Sequence, residues 1–105
     1  MFRELNAQQQ RWVNSARRGL RTGGLMVQRR AQQYVPVDTA NLKNSAYTEM
    51  VGPLIVQVGF TAEYAGIVHE DMEAQHHVGG PKYLERAEKE TRRDRLDVLV
   101  TEMRR

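Results

Sequence analysis

The chain contains no cysteine. Disulfide frameworks and thiolate zinc sites are thereby excluded, and the fold must hold by packing alone or by packing plus a partner subunit. No apolar run approaches the ~20 residues that a membrane helix requires. The opening residues 1–6, MFRELN, lack the apolar segment of a secretory signal. Proline is scarce: three in all, and each of them, Pro36, Pro53 and Pro81, sits at a break in the pattern rather than inside it. No Walker loop, GxGxxG, GxSxG, HExxH or EF-hand pattern occurs, so the common phosphate, nucleophile-elbow and metal motifs are missing.

What remains is one modest domain. The 105 residues leave no room for a second, and a chain of this size buries roughly two-thirds of its unfolded surface. The apolar fraction is 40% and the charged fraction 28%, as in an ordinary globular domain and not a disordered one. The net charge is +3 and the pI about 9.6. A basic balance permits contact with nucleic acid, but a DNA reader concentrates its charge on a recognisable motif. Here the basic pairs Arg17-Arg18, Arg29-Arg30, Arg92-Arg93 and Arg104-Arg105 are spread over both ends.

Residues 3–34 have helical period. Leu5, Trp12, Ala16, Leu20, Val27, Ala31 and Tyr34 fall on one stripe, and glutamine and arginine fill most other positions. A helix of ~30 residues is ~45 Å long, more than a compact domain of this size needs, so it either projects or breaks. Gly23-Gly24, with Gly19 nearby, offers a kink, or else a face that another helix can approach closely. Pro36 disfavours helical geometry at Val35 and ends the element. Asp38 or Thr39 can then cap a short helical turn over residues 40–44. Two β-like runs follow, residues 46–51 and 54–60, the second alternating through Val56, Val58 and Phe60, with Gly52-Pro53 between them as a turn. They read as a hairpin. Residues 64–69 form a third short apolar run, strand or helical turn. Residues 70–81 read as a loop ending in Gly79-Gly80-Pro81, long for so small a domain. Helical character returns over residues 82–105, where Leu84, Ala87, Thr91, Val98, Leu99 and Glu102 follow one face and Glu85-Lys89 and Glu88-Arg92 stand at supporting i,i+4 spacing. The nearly all-charged run 88–97 reads as a solvated face.

Chemistry-bearing residues are few. Every polar side chain of the corner "PVDTANLKNS" has a structural task available: stop, cap, restart. A catalytic reading of Asp38, Thr39 and Ser45 lacks a histidine nearby in sequence. His69, His76 and His77, with Glu70, Asp71 and Glu73 between them, match no zinc spacing. Neither a catalytic nor a metal site nor a cofactor is expected.

Three blocks, "PVDTANLKNS", "VQVGFTAEYAGIVHE" and "GGPKYLERAEKE", resemble in order those of a family of small tailed-phage minor virion proteins, the tail-component or tail-completion proteins of the head–tail joint. The family pattern is Pro-Val-Asp-Thr-Gly-x-Leu-x-x-Ser, then Val-Gly-x-x-x-x-Tyr-Ala-x-x-Val-Glu, then an aromatic-Leu before the last helix. The resemblance spans residues 35–90. Pro36, Asp38, Thr39, Leu42, Ser45, Val58, Gly59, Tyr64, Ala65, Val68, Tyr83 and Leu84 carry it. Ala40 departs from it, standing where glycine is usual, and the Gly-Thr that commonly follows the acidic position near His69-Glu70 is missing.

The expectation is an α+β fold of one domain, residues 1–105: a long N-terminal helix, a small antiparallel β-sheet and a C-terminal helix. The resemblance implies a structural virion protein at the head–tail interface, a neck or tail-terminator or tail-completion component and not an enzyme. It implies a homo-oligomeric ring, six-fold, assembled in the host cytoplasm. Its partners would be further copies of itself, other phage neck, connector or tail-tube proteins, and genomic DNA touched non-specifically in the channel, with no membrane. The alternative from another class is a small basic nucleic-acid-binding protein, and a third reading is a small metal-dependent hydrolase built on His69, His76 and His77. Candidate interface residues are Trp12 and Leu20 on the first helix, whose apolar stripe outruns the reach of a small sheet, and His69, Glu70, His76 and His77.

Overall fold

The computed structural model describes residues 5–36, 40–62, 67–71 and 82–105. Among these the order is α1 (Ala7–Tyr34), α2 (Ala40–Asn44), β1 (Ala46–Gly52), β2 (Ile55–Phe60), β3 (Ile67–Asp71) and α3 (Lys82–Met103). This is the expected α+β arrangement. The helices lie against one face of a three-stranded antiparallel sheet of order β1-β2-β3.

Helix α1 starts at a capping box. Asn6 accepts from the Gln9 amide at 2.8 Å, and the Gln9 side chain accepts from the Asn6 amide at 3.1 Å, so two otherwise orphaned donors are satisfied reciprocally. The first helical residue is therefore Ala7, later than periodicity suggested. The helix runs unbroken through Gly19, Gly23 and Gly24 and ends where Pro36 dictates, with Val35 extended at φ −74°, ψ 129°. The glycines do not kink it. They are the places where other elements come closest: α3 crosses over Gly19 and Gly23, and the sheet crosses over Gly24.

The hairpin pairs Ala46 with Phe60, Thr48 with Val58 and Met50 with Val56, with an irregularity between Met50 and Gly52. Pro53 and Leu54 make the turn, so β2 starts one residue later than the sequence pattern implies. Alternation then sorts the side chains. Val56, Val58 and Phe60 are buried under the helices, while Val51 is exposed on the other face. β3 pairs Val68 with Val58 and His69 with Gln57. The described part of the third apolar run, 67–69, is thus a strand, and it extends through Glu70 and Asp71. The first two residues expected in the loop belong to the sheet instead, because the β2 ladder continues to Ile55↔Asp71. The rest of the expected loop, 72–81, lies outside the described residues.

The core sits at one end of the helix pair, where Val27, Ala31, Val35, Val58, Phe60, Leu84 and Ala87 form one cluster, with Leu42, Ala46 and Tyr83 packed on it. Phe60 and Tyr83 meet edge to face, centroids 5.3 Å apart at 88°, a geometry aromatic quadrupoles favour. Leu84 is fully enclosed, and burying such a side chain stabilises by about 1.5–3 kcal/mol. Away from that end the helices continue beside one another. The molecule measures 50 × 24 × 21 Å, and α1 alone accounts for about 42 Å of that length at 1.5 Å per residue.

The charged run on α3 is not a solvated face throughout. Glu88 and Thr91 are buried, because the stripe that begins Leu84, Ala87 continues with them at helical spacing.

Candidate interaction surface

Ser45 shows what the corner does. Its hydroxyl donates to the Leu42 carbonyl at 2.7 Å and accepts from the Ala62 amide at 3.1 Å, while its own carbonyl accepts from Thr61 at 3.1 Å. One residue thus ties the end of α2 to the end of β2. Gln32 reaches from α1 to the Lys43 carbonyl at 2.9 Å and holds α2 from the other side. Leu42 is half-buried against the core, Gly59 is buried in β2, and Pro36 is exposed just past α1. Ala40 is the first residue of α2. Asp38, Thr39, Tyr64 and Ala65 lie outside the described residues, and Val68 is placed only by its pairing with Val58.

The proposed interface residues separate. Leu20 is 8% exposed and lines a small cavity of about 60 Å³ between α1, α3 and the sheet, with Gly19, Gly24, Val56 and Leu99. It belongs to the interior of this chain, because α1 presents it on the same side as Val27 and Ala31. Trp12 is 52% exposed. At the hairpin tip, Arg17 of α1 donates to the Pro53 carbonyl at 3.0 Å. Trp12 stands about 7.5 Å further along the helix at its rise per residue. On α3, Met103 near the end of the helix is also exposed, as are Leu96 and Val100 further in, beside the sheet, so both helices carry uncovered apolar surface. His69 and Glu70 have strand positions opposite Gln57 and Val56, and His76 and His77 lie outside the described residues.

Two charged clusters are not apparent from the sequence. In the first, the buried Glu88 carboxylate accepts from Arg92 at 2.9 Å and from Arg95 at 2.6 Å. Arg95 also donates to the Glu88 carbonyl at 2.7 Å and to the Thr91 hydroxyl at 3.0 Å, and Thr91 donates to the Ala87 carbonyl at 2.8 Å. The i,i+4 spacing of Glu88 and Arg92 is legible, but Arg95 at i+7 is not, because only burial draws it inward. In the second, Glu90 accepts from the Tyr34 hydroxyl, from Arg86 at 3.0 Å and from Arg30 at 3.1 Å. Arg86 lies 4.0 Å over the Tyr34 ring, a cation–π arrangement. The Tyr34 hydrogen bond, then that of Arg86, holds the Glu90 carboxyl below its ordinary range. Hydrogen bonding to Tyr34 and then to Glu90 raises the Arg30 guanidinium further, and hydrogen bonding to Glu90, then the charge of Tyr34, raises that of Arg86. The Glu90 cluster joins α1 to α3 and the Glu88 cluster knits α3 itself, each with two guanidinium groups around one carboxylate. Burial raises the Tyr83 hydroxyl, beside an open groove lined also by Lys82, Glu85 and Lys89.

Among the described residues no three His, Asp or Glu side chains gather as a metal site, and no helix is long and apolar enough to cross a membrane. Comparison with known proteins finds no matching family model, no matching curated protein and no matching solved structure.

Proposed function

We propose that this chain is a structural virion protein of a tailed phage, acting at the head–tail interface as a neck, tail-terminator or tail-completion component and assembling as a homo-oligomeric ring. The observation that carries the reading is the order of the three sequence blocks, whose described residues lie at the corner fixed by Ser45, on the paired strands β2 and β3, and at the start of α3. The α+β fold accords with it. A ring subunit needs adhesive surface rather than a catalytic constellation. Exposed Trp12 and Met103 near the free end of the helix pair, with Leu96 and Val100 further along α3, supply apolar surface. The partners under this reading are further copies of the chain and the neighbouring connector or tail-tube proteins, and its location is the virion. The mass of the purified particle, by native mass spectrometry or light scattering, tests it. A closed multiple of the chain mass is expected, six-fold by the resemblance; a monomer at all concentrations counts against the ring.

A further inference from the structure

The six charged residues of α1 are all arginines, Arg11, Arg17, Arg18, Arg21, Arg29 and Arg30, with no aspartate or glutamate between Ala7 and Tyr34. On α3 six acidic and six basic residues are interspersed, so the net positive charge of the two long helices is segregated on α1. At 100° per residue, Arg11, Arg18 and Arg29 fall within about 20° of one line along the helix, with Arg21 and Asn14 to one side. All five are exposed, opposite the buried glycine and apolar stripe. The ridge from Arg11 to Arg29 is about 27 Å long at the helical rise. Arg17 is turned to the Pro53 carbonyl and Arg30 to Glu90. Arg18 bridges Glu102 at 3.2 Å, yet its side chain stays 57% exposed. Arg11, Arg21 and Arg29 have no partner among the described residues.

We propose that this outer ridge of α1 binds the phosphate backbone of double-stranded DNA without reading sequence. Arginine is suited to bidentate contact with phosphate, and Asn14 adds a neutral amide of the kind that donates to phosphate oxygens. A membrane surface fits less well. A helix lying in a lipid interface must offer an apolar face beside its basic one, and the apolar face of α1 is buried under α3 and the sheet. Single-stranded nucleic acid is recognised by bases stacked on aromatic side chains, and the ridge positions carry none. An acidic protein partner would call for a central aromatic or aliphatic anchor, which the ridge also lacks; Trp12 points off its line toward the α3 side. The proposal needs neither a ring nor a virion, since it rests on the surface of one chain.

Fluorescence anisotropy of the full chain on a mixed-sequence duplex of about 30 bp, titrated at salt concentrations from about 50 to 200 mM, tests it. The variant is Arg11→Gln/Arg21→Gln/Arg29→Gln, with circular dichroism confirming its helix content. Its control, Lys89→Gln/Arg93→Gln/Arg104→Gln, removes the same charge from exposed positions on α3 and just past its end. The ridge variant should bind more weakly and flatten the slope of log K against log salt by about 0.9 for each phosphate it no longer neutralises, roughly 2–3 in all. The control should retain the wild-type slope. Absence of wild-type binding at the lowest salt overturns the proposal, as does a ridge variant with an unchanged slope, an equal weakening in both variants, or binding to phosphatidylserine vesicles without binding to the duplex. Light scattering on the same samples reports the oligomeric mass, so a failed ring and a failed DNA surface are seen separately.

Discussion

Gly19 is pressed against Leu99. A Cβ on that glycine would stand 2.8 Å from the Leu99 Cδ1 atom and 3.0 Å from its Cα. One of those neighbours is backbone, so the helices themselves would have to part. Gly23, one turn on, differs: a Cβ there would meet only the Arg95 stem at 3.4–3.5 Å, an ordinary contact. Two chemically identical substitutions on one helix should therefore have opposite signs. Gly19→Ala trades about 1 kcal/mol of helix propensity for about 1–3 kcal/mol of overpacking and should destabilise. Gly23→Ala keeps the propensity gain and should stabilise by up to about 1 kcal/mol. Urea midpoints of the two variants decide it; equal shifts would mean that α3 does not sit where these contacts place it.

The sequence carries the element order because each punctuation mark has a local cause. Pro36 ends α1, Gly52-Pro53 turns the hairpin, and Val56, Val58 and Phe60 alternate onto the buried face. The glycines of α1 are ambiguous for a physical reason. Propensity counts only the cost of glycine in a helix, whereas the gain lies in Leu99, Val56 and Thr48, tens of residues away. The burial of Glu88 is illegible for the same reason, since a carboxylate reads as solvated until its partner Arg95 is seen. Trp12 and Leu20 look equivalent on one stripe. What separates them is how far the elements packed on α1 extend along it, a length that periodicity does not contain.

The Glu88–Arg95 pair makes a sharper prediction than an exposed ion pair could. Glu88 is 2% exposed and the Arg95 side chain 11%. Removing the carboxylate by Glu88→Ala strands a buried guanidinium, at a cost of about 3–5 kcal/mol. Replacing both partners by apolar residues of similar length, Glu88→Met/Arg95→Met, should recover most of that stability. Chemical denaturation of the wild type and the two variants checks it. A double variant as unstable as the single would show that the pair does more than neutralise itself.

The Tyr34–Glu90 contact predicts a pH signature. The Glu90 carboxyl is held below its ordinary 4.5, first by the Tyr34 hydroxyl and next by Arg86. A depressed folded value means that its stabilisation is fully present above the unfolded value and is lost as pH falls through the folded one. The stability gap between wild type and Glu90→Gln should therefore be constant near neutral pH and close as the pH drops below about 4.5. A gap that stays the same down to about pH 3 would remove Glu90 from the acid response.

Trp12 is where assembly can be separated from folding. It is 52% exposed, beyond the reach of the hairpin tip at Arg17 and Pro53, so little of the chain's own core depends on it. Surface substitutions away from buried features shift stability by about 0.5 kcal/mol or less, and Trp12→Ala should leave helix content and the urea midpoint nearly unchanged. In an assembly the same side chain is the type of anchor that dominates interface energy, and its removal should shift the mass measured by light scattering from ring toward monomer. Val51→Ala is the companion, removing exposed apolar surface from the outer face of the sheet instead. A drop in mass with Trp12→Ala alone places the contact at the free end of the helix pair. A drop with Val51→Ala alone moves it to the sheet. If Trp12→Ala melts the fold while the mass of the remaining native protein is unchanged, the tryptophan is part of the chain's own packing and the ring is made without it.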